Sequence, residues 1–94
     1  MPRSSIKAQR RRILLDLLRQ ARLDADLRQA DVAAKLGKPQ SFVSNYESGE
    51  RCLDLLELQM VCEVLGVPVV EFVGRFDKEQ AQKVGSGRSS KSEK

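Results

Sequence analysis

The chain has no histidine and no tryptophan, one tyrosine and three phenylalanines among its 94 residues. Without histidine, the commonest general base is missing and a zinc site would need unusual ligands. Cys52 and Cys62, the two cysteines, stand ten positions apart. That is neither a metal-ligand spacing nor a disulfide framework, so they read as free, reduced thiols, which fits a cytoplasmic chain. No nucleophile–base pair and no phosphate-cradling glycine-rich loop is present, and the length leaves little room for a pocket. Enzymatic chemistry, a metal and a cofactor are therefore not expected. No apolar run approaches the roughly 20 residues that cross a bilayer, so no membrane partner is expected. The basic first residues are not followed by a signal-peptide apolar core, because Asp16 and Arg19 interrupt the leucine-rich stretch.

What is present is aliphatic and basic. Hydrophobic residues make up 40% of the chain and aromatics only 4%, which suggests one small helical domain filled by Leu, Val and Ala. The net charge is +4 and the pI about 9.4, a balance that favours a polyanionic partner. Its distribution is more informative. Residues 1–12 carry five basic side chains (Arg3, Lys7, Arg10, Arg11, Arg12) and no acid. Residues 13–76 carry seven basic against ten acidic side chains. The positive excess therefore sits at the two ends.

Punctuation residues divide the chain into five helices. Residues 1–5 read as a flexible arm, with Ser4 or Ser5 able to cap a first helix over about 6–23. Leu14, Leu17, Leu18 and Ala21 give that helix its apolar stripe. Asp24-Ala25-Asp26 ends it. A second helix over about 28–36 buries Val32, Ala33 and Leu36, and Gly37 can close it at positive φ. Lys38 precedes Pro39, which suits the first turn of a third helix over about 39–48. Gly49 stops that helix. Asp54 and Glu57 form a capping box for a fourth helix over about 55–65, with Leu55, Leu58, Val61, Cys62 and Leu65 toward the core. Gly66 and Pro68 introduce a fifth over about 68–76, with Val69, Phe72, Val73 and Phe76 as its apolar set. Residues 77–94 read as a polar, disordered tail. The expected fold is all-α, a five-helix bundle containing a helix-turn-helix, with residues 6–76 as its domain.

The third helix carries the functional signal. At about 100° per residue, Gln40, Ser41, Ser44, Asn45 and Ser48 share one arc, and Val43 and Tyr46 point away from it. A solvated face usually carries Glu and Lys, which favour helix and solubility. Gln and Asn can instead pair bidentately with adenine, and Ser can donate or accept. The arc thus suits base edges in a major groove. Phe42 lies nearer the apolar side, where it is either core or a contact to a deoxyribose or a thymine methyl.

The segments LRQADVAAKLG (Leu27 to Gly37) and QSFVSNYESG (Gln40 to Gly49) together resemble the Cro/phage-repressor type of helix-turn-helix, also called the xenobiotic-response-element family. The resemblance runs from about Ile13 to Phe76 and includes Ala33, Gly37, Val43, Tyr46 and the Glu47-Ser48-Gly49 ending. It implies a lambda-repressor-like bundle that binds double-stranded DNA. It also implies that Gln40, Ser41, Ser44 and Asn45 read bases, that Gln29 touches a phosphate, and that Arg22 pairs with Glu47 and presents itself to a phosphate. Lys38 and Pro39 depart from the family's apolar turn residue and Ser or Thr cap. Asn45 and Cys52 stand where basic residues are frequent. Those departures leave Lys38, Arg51 and Arg28 as backbone contacts beside Gln29, with Phe42 and the cluster Arg10-Arg11-Arg12 as further candidates.

A transcriptional repressor binding a near-palindromic operator as a homodimer is the reading that follows. Val69, Val70, Phe72, Val73 and Phe76 offer more apolar surface than one face can bury, and so form a candidate dimer interface. The rival is an antitoxin or adaptor that acts through a protein partner, using the acidic side chains Asp54, Glu57, Glu63 and Glu71.

Overall fold

The computed structural model describes residues 6–82. The arm expected at 1–5, its capping serines, and the part of the tail from 83 onward lie outside the described residues. Five helices follow in order: α1 (Ile6–Asp24), α2 (Gln29–Leu36), α3 (Gln40–Ser48), α4 (Leu55–Leu65) and α5 (Val69–Gln80). Among the described residues there is no strand.

Each boundary has a local cause. α2 ends at Gly37, whose φ of 70° lets its N–H and that of Lys38 return to the carbonyls of Ala34 and Ala33. A residue with a Cβ is disfavoured in that left-handed region. Asp26 performs the same duty after α1 with φ 62°, and Leu27 N–H closes back to Arg22 O at 3.2 Å. α4 begins with the expected box: Glu57 N–H donates to Asp54 Oδ1 at 2.8 Å, and Asp54 N–H to Glu57 Oε1 at 3.0 Å. Pro39 and Pro68 stand one position earlier than expected, as N-caps in extended conformation rather than inside the first turn. A prolyl ring has no acceptor, so neither helix has a side-chain cap.

The core is built by all five helices. Leu18 of α1, Val32 of α2, Val43 and Tyr46 of α3 and Val61 of α4 are fully buried, and Phe72 of α5 closes the cluster. α2 packs on α3 and α4, and α1 on α3 and α5. Ala33 is buried between them, and its small side chain lets the helix-turn-helix pair approach closely. Cys62 is buried in the core and Cys52 is exposed, both as free thiols. Burial pushes the Cys62 thiol up from its ordinary pKa.

Two expectations are corrected. Leu55 does not face the core: it is 73% exposed, with Leu56 at 70% beside it. It is the first residue of α4, where a helical stripe can overshoot the surface it packs on. Residues 77–80 are helical, not tail, because Lys78-Glu79-Gln80 extends α5 with polar helix formers.

Candidate nucleic-acid interface

α3 separates its two faces cleanly. Val43 and Tyr46 are fully buried, while Gln40, Ser41 and Ser48 are exposed and Ser44 and Asn45 half-buried. The arc from Gln40 to Ser48 carries no charged side chain at those positions. Ser48 Oγ donates to Asn45 O at 3.1 Å and Ser44 Oγ leans toward Ser41 O at 3.4 Å. The side-chain amides of Gln40 and Asn45 have no partner among the described residues. They are free to donate and accept together, which is what bidentate pairing to a base requires. With Pro39 as an N-cap lacking an acceptor, the first N–H groups of α3 are also open to an external acceptor.

Beside this face lies a part-buried polar triad. Arg22 Nε donates to Glu47 Oε2 at 2.7 Å and Arg22 Nη2 to Glu47 Oε1 at 3.1 Å. Arg22 Nη1 donates to Leu27 O at 3.0 Å. Gln29 Nε2 reaches the same Glu47 Oε1 at 3.0 Å. The hydrogen bonds to Glu47 hold the Arg22 guanidinium even more firmly protonated than usual. The pair named from the sequence is therefore present. Arg22 itself is only 8% exposed, and three of its N–H groups are already engaged. Its geometry suits holding Glu47, and through it Gln29, in place.

Arg28 stands just outside α2 with a guanidinium that is 82% exposed. Asp31 accepts from Arg28 N–H at 2.9 Å and from its guanidinium at 3.1 and 3.2 Å. These bonds hold the Asp31 carboxyl below the usual carboxylate range.

Phe42 takes a position that the helical wheel does not resolve. It is half-buried, packs against the core, and meets Tyr46 edge-on at 5.8 Å between ring centroids. Lys38 Nζ lies 5.4 Å and the Arg51 guanidinium carbon 4.8 Å from the centre of the Phe42 ring. Arg51 also pairs with Glu57 of the α4 capping box. One ring thus gathers two cations at the edge of the α3 face, each contact contributing on the order of 0.5–1 kcal/mol when exposed.

The basic stretch of α1 also reaches α3. Arg11 Nη2 donates to Gly49 O, the carbonyl just past the end of α3. A groove of about 210 Å³ between the two helices is lined by Ala8, Arg11, Arg12, Leu15, Ser48 and Gly49. Only part of the candidate dimer set is free. Phe72 is 2% exposed inside its own chain and Val69 packs on the core, whereas Val70 is 81% and Val73 42% exposed.

Among the described residues, no helix is long and apolar enough to cross a membrane. No curated protein matches the chain. A solved XRE-family like protein from Pseudomonas syringae pv. tomato str. DC3000 is similar in structure, with a TM-score of 0.76 and 39% identity over 79% of this chain and 90% of that one. The helix-turn-helix family model matches residues 18–72, the stretch that holds the α2–α3 unit, its Arg22–Glu47 pair and the helices packed behind it. The chain belongs to the Cro/phage-repressor, xenobiotic-response-element type of helix-turn-helix proteins, a family of DNA-binding transcription regulators that is not typically enzymatic.

Proposed function

We propose that the protein is a transcriptional repressor that binds a near-palindromic operator as a homodimer, with α3 in the major groove. Half-sites would then lie about 10 bp apart or a multiple of that. Gln40, Ser41, Ser44 and Asn45 read base edges. Gln29, Arg28, Lys38 and Arg51 hold phosphates, Phe42 seats the last two, and Arg22 acts through Glu47 to orient Gln29. Val70 and Val73 are the α5 side chains available to a twofold contact.

One observation carries this reading: the unpartnered amides of Gln40 and Asn45 stand on an uncharged arc, with Lys38 and Arg51 gathered on Phe42 beside it. Phosphate contacts set register and base contacts set sequence, so the two groups should respond differently to mutation. Binding of Gln40→Ala and Asn45→Ala should be measured on the operator and on each of its single-base variants. Each should lose on the order of 1–3 kcal/mol and relax preference at one position. A uniform loss on all sequences would contradict the assignment.

An antitoxin or adaptor role is favoured by a different feature, the exposed Leu55, Leu56 and Met60 on α4. The acidic part of that surface is less free than its sequence suggests, since Asp54 and Glu57 are engaged in the cap and Glu57 in the Arg51 pair.

A further inference from the structure

We infer that the N-terminal half of α1 is a second DNA-backbone contact, built from Lys7, Arg10 and Arg12 and anchored to α3 by Arg11. This rests on the DNA-binding reading above. It concerns a surface outside the stretch matched by the family model, which begins at residue 18.

The charge pattern here works against helix stability. The first turn of α1 has no acidic residue, yet Lys7, Arg10, Arg11 and Arg12 lie within its first two turns. Lys7, in the first turn, opposes the macrodipole. Lys7 stands three and four positions from Arg10 and Arg11, where like charges repel. Arg12 meets Asp16 only at 3.8 Å, with both side chains about two-thirds exposed (64% and 66%). Among the described residues, Lys7 and Arg10 have no acidic partner. An arrangement that costs stability with little internal compensation suits an external polyanion.

Placement identifies which polyanion. Arg11 ties α1 to Gly49 at the C-terminal end of α3, and Arg12 shares a groove with Ser48, the last residue of the α3 polar arc. Arg11 also lines a second cavity, of about 180 Å³, whose far wall includes Arg51. Arg11 and Arg12, two members of the cationic cluster, therefore border the end of the base-reading arc, and Arg11 also borders a proposed phosphate contact. A duplex seated on α3 would bring its flanking phosphates toward the cluster at this end of α1.

The test uses the full chain and a triple variant, K7Q/R10Q/R12Q, with Arg11 kept as the anchor. Affinity is measured against salt on a selected operator with and without several flanking base pairs. Removing one cation from a phosphate should make the slope of log K against log salt shallower by about 0.9, so the variant should be shallower by about two to three. Its ratio of operator to random-DNA affinity should not change. Trimming the flanks should weaken the wild type and leave the variant unaffected. Circular dichroism should show helix content retained and a thermal midpoint no lower than wild type. Should the triple variant fold poorly, K7Q/R10Q removes the two unpaired cations alone and should lower the slope by about one to two.

An unchanged slope in a folded variant would overturn the inference and leave the cluster a solvated charge run. Binding to anionic phosphatidylserine vesicles that depends on these residues, with the DNA slope unmoved, would also overturn it. Failure of the underlying reading looks different: the wild type would then show no sequence preference on any duplex, and Arg51→Gln would leave its slope unmoved.

Discussion

Arg22 and Glu47 form a two-pronged ion pair between α1 and α3, at 2.7 and 3.1 Å, with side-chain exposures of only 10% and 5%. Because Gln29 also donates to Glu47, the pair links the fold to the start of α2. Removing one partner of such a pair strands a charge, whereas replacing both with apolar groups can be neutral. Glu47→Ala should therefore destabilise the protein by about 3 kcal/mol in urea unfolding. Arg22→Met combined with Glu47→Leu should recover most of that loss. The recovered double variant should still bind DNA more weakly, because Gln29 no longer has its anchor. Equal stability loss in the single and double variants would show that the charges themselves are not what is missed.

Tyr46 is fully buried, and its hydroxyl has no hydrogen-bond partner among the described residues. Tyr46→Phe keeps the ring against Phe42 and removes the unsatisfied group. It should be neutral or stabilising by about 1 kcal/mol. Burial, reinforced by the nearby Glu47 charge, raises the pKa of the Tyr46 phenol above its ordinary value. A raised folded pKa keeps the stability contribution whole below the unfolded pKa of about 10 and loses it as pH rises further. Wild type should thus lose stability above about pH 10 more steeply than Tyr46→Phe. Thermal midpoints taken from about pH 8 upward would check both statements.

Asp31 works in the opposite direction. Its folded pKa is depressed by hydrogen bonds from the Arg28 side chain and backbone. Its contribution is therefore present above the unfolded carboxylate pKa and fades as pH falls through the lower folded value. The thermal midpoint of the wild type should drop on acidification through and below about pH 4, and Asp31→Asn should flatten that drop. Parallel acid limbs for the two proteins would contradict the assignment.

Asp26 holds φ 62° at the end of α1, a position that glycine occupies after α2, α3 and α4. Asp26→Gly should stabilise the chain by up to about 1 kcal/mol, the relief of left-handed strain less the added freedom of the unfolded chain. At Gly49 the reverse holds. Its φ is 94° and a Cβ would lie 3.3 Å from Leu15 Cδ1. Gly49→Ala should cost roughly 1–2 kcal/mol. Denaturant midpoints shifted in these directions with unchanged m-values would establish both as changes in stability.

Much of this was legible because the sequence marks its own breaks. Gly37, Gly49 and Gly66 end helices where they stand, Asp54 and Glu57 form the box their spacing implies, and Arg22 meets Glu47. What could not be read depends on the third dimension. Leu55 fits the apolar stripe of α4 but lies beyond the surface that α4 packs on. Phe42 sits where a wheel is ambiguous, and its two cations come from the turn before α3 and the loop after it. The hydrogen bond from Arg11 to Gly49 spans 38 positions and has no local signature. Val70 and Phe72 look alike in sequence, yet one faces out and the other fills the core.

Selection of binding sites from a random duplex pool, followed by salt titration of the winner, tests the central claim most directly. A palindromic motif preferred over random DNA by about 10³ or more, with discrimination that depends on Gln40 and Asn45, is the outcome expected. No enriched motif, with weak and steeply salt-dependent binding, would contradict an operator-reading role and leave the charged surfaces as non-specific attraction.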